Sequence, residues 1–560
     1  MIKRIASFVI ALSVVFSGIQ TAFAEKVNVA YSNYSADIET LKTNISKIKV
    51  LLEACEDNGI STDYEIMRVN VVERYTHYLE DELNSGVGYR TTENGYTEDD
   101  VKSIYDYNVN CLKEISERTI ADLNSYLVGT KTPFEVPKML TSKTETDGHI
   151  IYADVEKNGT KGKEKVFLNG VGHYDAYEDM DFLKATGNDI LQMQIGISSH
   201  CVATNHIKDW IGGWYLKPEY TVERVTTEHN GGNASLKITN KTGRQNNYYY
   251  AMQQGVKVEP NTEYTYSFFA KGSNINHFVY KTTANNSFRW IGLESAVNLG
   301  EWTQYSVTYT TGENQTEDRI YLSTEGITDE LYIDDVKLVK KGTDDNLLLN
   351  GGFEEEEDPG KVIDSDPSKL WKYEEIFKEA EEKNIKISLL LSPQYFVNEL
   401  YNIYPDLKGS GDTLGFVMLH PIAIQTVKYH IETVLNIAKK YKSVNDICLV
   451  NEPRNETKAG GENSFYKKQW TDYLAEQYGS VENLNKAWSK NYSKIADAEF
   501  PSSVNLLNKM SYDYIHFNDL ITTEWVKILS ETAKNTAPEL PIHMKIMPYI
   551  SSTEDYDKRW

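Results

Sequence analysis

The first regular pattern of apolar and polar residues along the chain is helical. From about Ser35 to Leu127, apolar residues recur every three or four positions, which predicts several helices packed together. We place this N-terminal helical region at residues 25–145. The region contains no residue pattern typical of catalysis, so its expected role is a helical layer beside another domain.

A second pattern, in which strands alternate with helices, occupies two separate parts of the chain. Residues 146–210 contain a strand from Val166 into a glycine-bearing loop, a helix near Met180 and a second strand at 189–195. Residues 367–560 contain three further strands after helical segments, at 385–392, 447–450 and 542–547. Such alternation predicts parallel strands joined by helices, which is an α/β fold. A TIM-type (β/α) barrel has eight strands, so about five predict an incomplete barrel.

Between these two parts the polarity alternates along short strands instead. Within residues 211–345, turns rich in Gly, Asn and Thr separate strands predicted at 234–239, 263–270, 304–310 and 330–338. Evenly spaced short strands favour a β-sandwich of their own, inserted after the second parallel strand. Residues 346–366, which include an acidic run from Glu354 to Asp358, form the linker back to the barrel.

The amino terminus has the pattern of an export signal. Lys3 and Arg4 precede an apolar run and the small residues that end at Ala24, which is typical of a secretory signal at residues 1–24. The alternative, a membrane anchor, is disfavoured because the apolar run is too short to span a bilayer. The mature chain is therefore expected to be secreted and soluble after cleavage near Ala24.

Charge and cysteine content narrow the expected partners. The chain has 58 Lys and Arg against 82 Asp and Glu, a net charge of −24. This charge repels phosphate backbones and anionic lipid headgroups, so neither nucleic acid nor a membrane is an expected partner, whereas a neutral ligand is compatible. Cys55 and Cys111 are the favoured disulfide, and Cys448 is expected to be a buried core thiol. No spacing of Cys201 and its flanking histidines matches a metal site, so no metal is predicted.

One carboxylate stands at the end of a predicted buried strand. The apolar run that ends at Val450 is followed by Asn451, Glu452 and Pro453. Active sites of β/α barrels lie at the C-terminal ends of the strands, which makes Glu452 the first catalytic candidate. The alternative is that Glu452 caps the next helix and Pro453 ends the strand. The tripeptide alone leaves both interpretations open.

Further motifs carry a resemblance to a known family. The Asn-Glu-Pro at 451–453, the segment from Trp470 to Trp488, and Phe500-Pro501 together resemble the region after the acid/base strand of family 42 β-galactosidases. The predicted strand ends resemble those of agarase-like relatives; they are Gly170 to His173, Leu191 to Gly196, and Leu390 to Phe396. Residues 332–354 resemble carbohydrate-binding modules of the 4/9 type. The combination covers about two-thirds of the chain.

The resemblance implies a retaining glycoside hydrolase that acts on β-galactosides or related polysaccharides. In that family, the glutamate at the position of Glu452 donates a proton to the leaving glycosidic oxygen and later takes one from water. Asn451 would bind the 2-hydroxyl group of the sugar. His173, Gln194 and Gln394 are further substrate-binding candidates. The resemblance implies no metal or organic cofactor, and it leaves an oligomer open because some relatives form trimers.

The inserted module has its own candidate sugar contacts. Flat aromatic faces on which sugar rings can stack are offered by Tyr249, Trp290 and Trp302. Asp334 and Asp335 are candidates for a structural calcium, although two adjacent acids alone are weak support. Trp488 is expected to pack against the barrel.

The chain departs from the family in its second carboxylate. A retaining glycosidase needs a nucleophile about 5 Å from the acid/base, which the resemblance places on a seventh strand. Glu399 and Glu456 lie near strand ends, but they have no motif support and are expected to be solvated loop charges. Two interpretations remain: a truncated glycosidase that lacks its nucleophile, or a scaffold that binds carbohydrate without cleaving it. A purely structural surface protein is disfavoured because it would leave the motifs unexplained.

Overall fold

The computed structural model describes residues 31–85, 95–157, 159–172, 175–212, 220–241, 252–284, 287–358, 360–409, 414–453, 463–501, 505 and 507–545. The chain divides into two compact units. The first contains the chain up to Thr141, with Glu145–Asn169 and Asp179–Asp189. The second contains Ser142–Thr144, Gly170–Glu178 and the chain from Ile190 onward.

The first unit contains the predicted helices. They are α1 (Ser35–Asp57), α2 (Asp63–Ser85) and α3 (Glu98–Leu127), and the prediction of several packed helices is confirmed. The apolar positions three and four apart on α1 are buried: Ile38, Leu41, Ile45 and Ile48. They pack with apolar residues of α2 and α3 because each helix has one apolar face to bury.

The predicted disulfide between Cys55 and Cys111 is wrong. All four cysteines of the structure are free thiols. Cys55 lies near the C-terminal end of α3, where its Sγ is 3.9 Å from the carbonyl oxygen of Leu123. Cys111 is twelve residues earlier on α3, which is about 18 Å along a helix and beyond the reach of a disulfide.

A small antiparallel sheet in the first unit was not predicted from the sequence. Its strands are β1 (Lys138–Asp147), β2 (Ile150–Lys157) and β3 (Thr160–Val166), in that order across the sheet. β3 contains mostly exposed lysine, glycine and glutamate. It therefore lacks the alternation of apolar and polar residues from which a strand is predicted. A short helix, α4 (Met180–Ala185), also belongs to this unit.

The second unit contains the remaining strands and helices. The strands are β4 (Gly170–Val171), β5 (Ile190–Gly196), β6 (Cys201–Ala203), β7 (Ile211–Gly212), β8 (Tyr220–Val225), β9 (Ser235–Asn240), β10 (Met252–Lys257), β11 (Glu263–Ala284), β12 (Ser287–Thr310), β13 (Glu317–Lys340), β14 (Ile363–Ser365), β15 (Lys386–Ser392), β16 (Val444–Asn451) and β17 (Ile542–Lys545). The helices are α5 (Pro367–Glu382), α6 (Glu399–Ile403), α7 (Pro421–Ala438), α8 (Ser464–Tyr478), α9 (Val481–Trp488) and α10 (Lys509–Thr536).

Five of these strands form a parallel sheet in the order β4, β5, β15, β16 and β17. The five predicted parallel strands are therefore present. They lie side by side in the order in which these five occur along the chain. One boundary was wrong, because the strand predicted from Val166 begins at Gly170, whereas Val166 ends β3. A Cβ at Gly170 would lie 2.3 Å from the carbonyl oxygen of Ile190, so only glycine permits this close pairing.

The central strands of this sheet are buried on both faces. Nearly every residue of β15 is buried, and β16 is buried from Ile447 to Val450. Strands covered on both faces carry continuous apolar runs rather than alternating ones. Cys448 lies in such a run, and burial raises the pKa of its thiol, which confirms the prediction of a core thiol.

The inserted region forms a separate antiparallel sheet. β11 lies between β12 and β13, and β10 and β9 pair with successive parts of β13. β11, β12 and β13 contain 22, 24 and 24 residues, which is longer than the sequence predicted. Their apolar residues enclose one core, which includes Tyr266, Phe268, Leu331 and Ile333.

Local capping sets where the helices of the second unit begin. Asp366 accepts a hydrogen bond from the backbone N–H of Ser368 (3.0 Å) at the start of α5, and Pro367 occupies the first helical position. Asn463 accepts bonds from the N–H groups of Phe465 and Tyr466 at the start of α8.

None of the helices in the described ranges has an apolar stretch long enough to cross a bilayer.

Candidate active site

Glu452 directly follows β16, at the C-terminal edge of the parallel sheet. Its backbone N–H donates to the carbonyl oxygen of Lys545 on β17 (2.9 Å), and the residue is half-buried. Its φ angle is +49°, a left-handed conformation that is uncommon for residues other than glycine. Backbone strain of this kind costs about 1–3 kcal/mol and is concentrated at functional sites.

The alternative role of Glu452, as the cap of the next helix, belongs to another residue in the described structure. The described helix that follows is α8, and its capping side chain is that of Asn463. The carboxylate of Glu452 makes no hydrogen bond or ion pair with another described residue. Pro453 follows the strand end, as that interpretation also expects. Within the described part of the chain, the carboxylate of Glu452 at the sheet edge therefore has no partner.

The other residues predicted to bind substrate lie near the ends of neighbouring strands of the parallel sheet, and one of them lies outside the described residues. Asn451 is the last residue of β16 and pairs in register with Lys545. Gln194 is a half-buried residue of β5. Gln394 follows β15, and its side-chain oxygen is buried without a hydrogen-bond partner among the described residues. His173 lies outside the described residues.

Two contacts shape this edge of the sheet. Gly196 ends β5, and a Cβ at this position would lie 2.7 Å from Cβ of Tyr395. The N–H of Ser198 donates to the carbonyl oxygen of Tyr395 (2.8 Å). The segments that follow β5 and β15 are therefore packed together, which brings the surroundings of Gln194 and Gln394 to the same edge.

Sequence reasoning missed a row of polar side chains on one face of the sheet. Asp446 of β16 accepts hydrogen bonds from Ser388 (2.6 Å) and His543 (2.8 Å), which lie on the two neighbouring strands. Lys545 of β17 donates to the side-chain oxygen of Gln192 on β5 (2.7 Å). Alternation within apolar strands could have marked these polar positions as facing one side.

The hydrogen bond between Lys545 and Gln192 indicates that the parallel sheet is curved. β5 and β17 are three strand spacings apart, which is about 14 Å in a flat sheet. Side chains stand roughly perpendicular to a sheet, so their hydrogen bond requires the sheet to curve toward this face.

The two glutamates considered as poorly supported nucleophiles differ in position. Glu399 is the first residue of α6, and it is half-buried with its pKa raised by burial. It is therefore not the fully solvated charge that the sequence analysis expected. Glu456 lies outside the described residues.

The module's aromatic candidates are described only in part. Trp302 lies on β12, is half-buried, and donates its indole N–H to Glu228 (3.0 Å). Glu228 also accepts from Lys271 (3.0 Å), which fixes the edge of the indole. Trp290 has a described backbone in β12 but no described side chain, and Tyr249 lies outside the described residues.

Asp334 and Asp335 have structural partners. Asp334 is fully buried, and its carboxylate accepts backbone hydrogen bonds from Asn230 (2.7 Å), Gly231 (3.0 Å) and Asp335 (2.7 Å). Asp335 accepts from the side-chain amide of Asn230 (2.8 Å). These donors account for the buried oxygens of Asp334 and hold the Asn230 turn against β13.

His200, Cys201 and His430 form a buried cluster of potential metal ligands. One donor atom from each residue lies within 4.8 Å of the other two. Nε2 of His200 lies 2.8 Å from Nδ1 of His430, which is hydrogen-bond length. The Cys201 Sγ is 3.4 and 3.6 Å from the two ring nitrogens of His200. The arrangement is that of a hydrogen-bonded imidazole pair, in which one nitrogen of each ring is already used by the other ring.

Comparisons with known proteins identify two regions. Residues 201–330 match the family of carbohydrate-binding domains of type 4/9. Residues 371–559 match the glycoside hydrolase family 42 family, described as β-galactosidase. The resemblance to both families is thereby confirmed, and Glu452 lies inside the second matched region. No curated protein matches the chain.

Among the solved structures similar to the chain are two enzymes and one domain whose names refer to carbohydrate. A family 42 exo-carrageenase from Bacteroides ovatus is 14% identical over 91% of this chain and 49% of its own, with a TM-score of 0.47. The chain thus spans about half of that enzyme. A β-galactosidase from Rahnella sp. R3 is 19% identical over 34% and 29% (TM-score 0.28). A family 22 xylan-binding domain from Paenibacillus barcinonensis is 14% identical over 25% and 92% (TM-score 0.20).

Proposed function

We propose that this chain is a secreted, retaining glycoside hydrolase that acts on β-galactosides or related polysaccharides. Its five parallel strands would belong to a (β/α) barrel, a shape supported by their sequential order and by the curvature of the sheet. The observation that carries the proposal is the position of Glu452. It follows the fourth parallel strand, within the region that matches family 42.

In this mechanism Glu452 acts first as an acid and then as a base. It donates its proton to the glycosidic oxygen as the bond to the leaving group breaks, and a second carboxylate attacks the anomeric carbon. Glu452 then removes a proton from the water that hydrolyses the glycosyl–enzyme intermediate. Asn451 binds the 2-hydroxyl group, and Gln194 and Gln394 bind further hydroxyls. The side-chain oxygen of Gln394, which is buried and has no hydrogen-bond partner among the described residues, is an acceptor that supports this role.

The second carboxylate distinguishes this proposal from its alternative. No motif assigns a nucleophile to a described residue of this chain. A non-catalytic carbohydrate-binding protein, or a fragment that lacks the nucleophile, would retain Glu452 without turnover. The match of residues 201–330 to carbohydrate-binding domains favours binding in either case.

Hydrolysis of aryl β-glycosides tests the catalytic proposal. If the chain supplies both carboxylates, Glu452→Gln is expected to lower kcat at least about a hundredfold, because general acid catalysis is lost. The defect should shrink for substrates with a good leaving group, which needs no proton. Glu476→Gln, which changes an exposed glutamate of α8, is the control and should be as active as the wild type. Wild-type turnover that is equal in Glu452→Gln would contradict the assignment, whereas binding without turnover would support the alternative.

Binding of polysaccharide tests the role of the module. Trp302→Ala is expected to weaken affinity about tenfold, because an aromatic face that packs on a sugar ring is lost. Trp302→Tyr retains such a face and should bind nearly as well as the wild type. Affinity electrophoresis with galactans, glucans and xylans measures both variants. Equal mobility of Trp302→Ala and the wild type would remove this residue from the binding surface.

A further inference from the structure

A cleft of about 360 Å³ lies between β10 and the first turns of α5. One wall includes Asp209 and Lys257, from the region that matches carbohydrate-binding domains. The opposite wall includes Trp371, the first residue of the region that matches family 42. The cleft therefore belongs to neither region alone, and it is separate from the strand ends near Glu452.

The two walls are joined by a buried ion pair. Arg319 of β13 lies 2.6 Å from the carboxylate of Asp366, which is 1% exposed. Arg319 also donates to the side-chain oxygen of Gln253 on β10 (3.0 Å). Asp366 caps α5 through Ser368, so the same carboxylate fixes both the helix and the strand. A cleft between walls held in this way is formed before a ligand binds, which reduces the entropy lost on binding.

Three polar groups of this cleft have no hydrogen bond or ion pair with a described residue. They are the carboxylate of Asp209, the ammonium of Lys257 and the indole N–H of Trp371. The Lys257 Nζ lies 4.2 Å from the centre of the Trp371 ring, and Trp371 is half-buried. Other polar side chains of the cleft are already used: Gln254, for example, bonds to the backbone of Asp209 and Leu349.

The chemistry of these groups matches one class of ligand. A pyranose ring has an apolar C–H face that packs on an aromatic ring. Its hydroxyl groups can donate to a carboxylate and accept from an ammonium or an indole N–H. The cleft contains acids and lysines together, including the paired Lys361 and Glu357 (2.8 Å). This mixture of charges favours a neutral sugar over an anionic one.

We propose that this cleft is an additional subsite for a neutral oligosaccharide. Trp371 packs on a sugar ring, Asp209 accepts from its hydroxyl groups, and Lys257 donates to them. The subsite rests on the proposed carbohydrate function and extends it, because it would hold a part of the glycan between the module and the catalytic region. The volume is that of a small site, so it accommodates one end of a glycan and not a long segment.

Titration of the full chain with neutral disaccharides of β-linked galactose, glucose or xylose tests this subsite, with calorimetry as the measurement. At least one disaccharide is expected to bind, and Asp209→Asn and Trp371→Leu should each weaken that binding about tenfold. Asp209→Asn changes one exposed group without altering its size, so it remains informative if Trp371→Leu fails to fold. Asp344→Asn, an exposed aspartate outside the cleft, is the matched control and should bind as the wild type does.

The outcomes separate this subsite from the proposed catalysis. Binding that depends on Asp209 and Trp371 but persists in Glu452→Gln supports the subsite, whether or not the chain is active. Unchanged affinity in both cleft variants overturns the subsite, even if Glu452-dependent turnover is observed. Absence of binding by the wild type to every disaccharide of the panel also overturns it.

Discussion

Trp470→Ala is expected to lower the free energy of unfolding of the α8–α10 region by about 3–5 kcal/mol. Trp470 is fully buried and is the centre of an aromatic cluster. Its ring is stacked on Tyr473, Trp488 and Phe500 at 5.6, 5.9 and 5.4 Å, and meets Tyr514 and Phe517 edge-on at 6.2 and 5.2 Å. Truncation removes the largest side chain and leaves a cavity among rings that cannot all move inward.

Trp470→Phe is the matched variant and should cost much less. The indole N–H of Trp470 is buried without a hydrogen-bond partner in the described chain, so phenylalanine retains part of the ring stacking and removes an unsatisfied donor. Hydrogen exchange of the α8 and α10 amides measures the effect locally, which matters because a chain with two units need not unfold in one step. Equal destabilisation by both variants would contradict this prediction. It would show that stability depends on the full size of the indole and not on the stacking that phenylalanine retains.

The stability of the chain is expected to fall steeply when the pH drops below about 6.5, because of His200 and His430. Both imidazoles are fully buried. Burial lowers the pKa of His200 to about 3 and lowers the pKa of His430 well below its usual value, with the neighbouring His200 adding to the effect. The unfolded chain therefore binds more protons than the folded chain below pH 6.5, and unfolding is favoured by acid.

The expected size follows from that sign. Each histidine contributes about 1.4 kcal/mol per pH unit below its unfolded pKa, so the pair removes about 4 kcal/mol between pH 7 and pH 5. Groups packed on the pair do not compensate in this range, because burial raises the pKa of the Cys201 thiol and raises that of Tyr373 to about 12. Ser365, 3.0 Å from Nδ1 of His200, is uncharged.

Thermal unfolding of the wild type and of His430→Gln between pH 5 and pH 8 measures this dependence. Glutamine keeps an uncharged polar group at the position, so the slope below pH 6.5 should fall by about half. His77→Gln, which changes an exposed histidine of α2, tests whether any histidine substitution gives the same result. Parallel pH profiles for the wild type and His430→Gln would exclude the pair as the source of acid sensitivity.

Features that depend on residues close together in the sequence could be predicted. Trp488 was expected to be structural, and it is buried, with its indole N–H donating to Asp513 (2.8 Å). It packs on α8 and α10, where the Leu-Asn-Lys-Ala-Trp segment places it on the apolar face of α9. α5 begins at Pro367 and α8 at Ser464, and the capping residues that set these starts, Asp366 and Asn463, are adjacent in sequence, so such starts are local features.

Residues whose partners are distant in sequence could not be predicted in this way. His200 and Cys201 showed no ligand spacing, and His430, which bonds to His200, is 230 residues away. The bond between Gln192 and Lys545 spans 353 residues. A single sequence has no local signal for such pairs, since they meet only after the strands and helices have packed.

The sequence by itself determined the order and type of most elements, the insertion of the β-rich region and the strand end that precedes Glu452. Apolar spacing, caps and turns are local, and each acts over a few residues. Only the tertiary structure decided that Glu452 has a left-handed backbone tied to Lys545, that Cys55 and Cys111 lie far apart, and that Asp209 and Trp371 share one cleft. These features depend on how distant segments pack, because burial and close approach are properties of the folded chain.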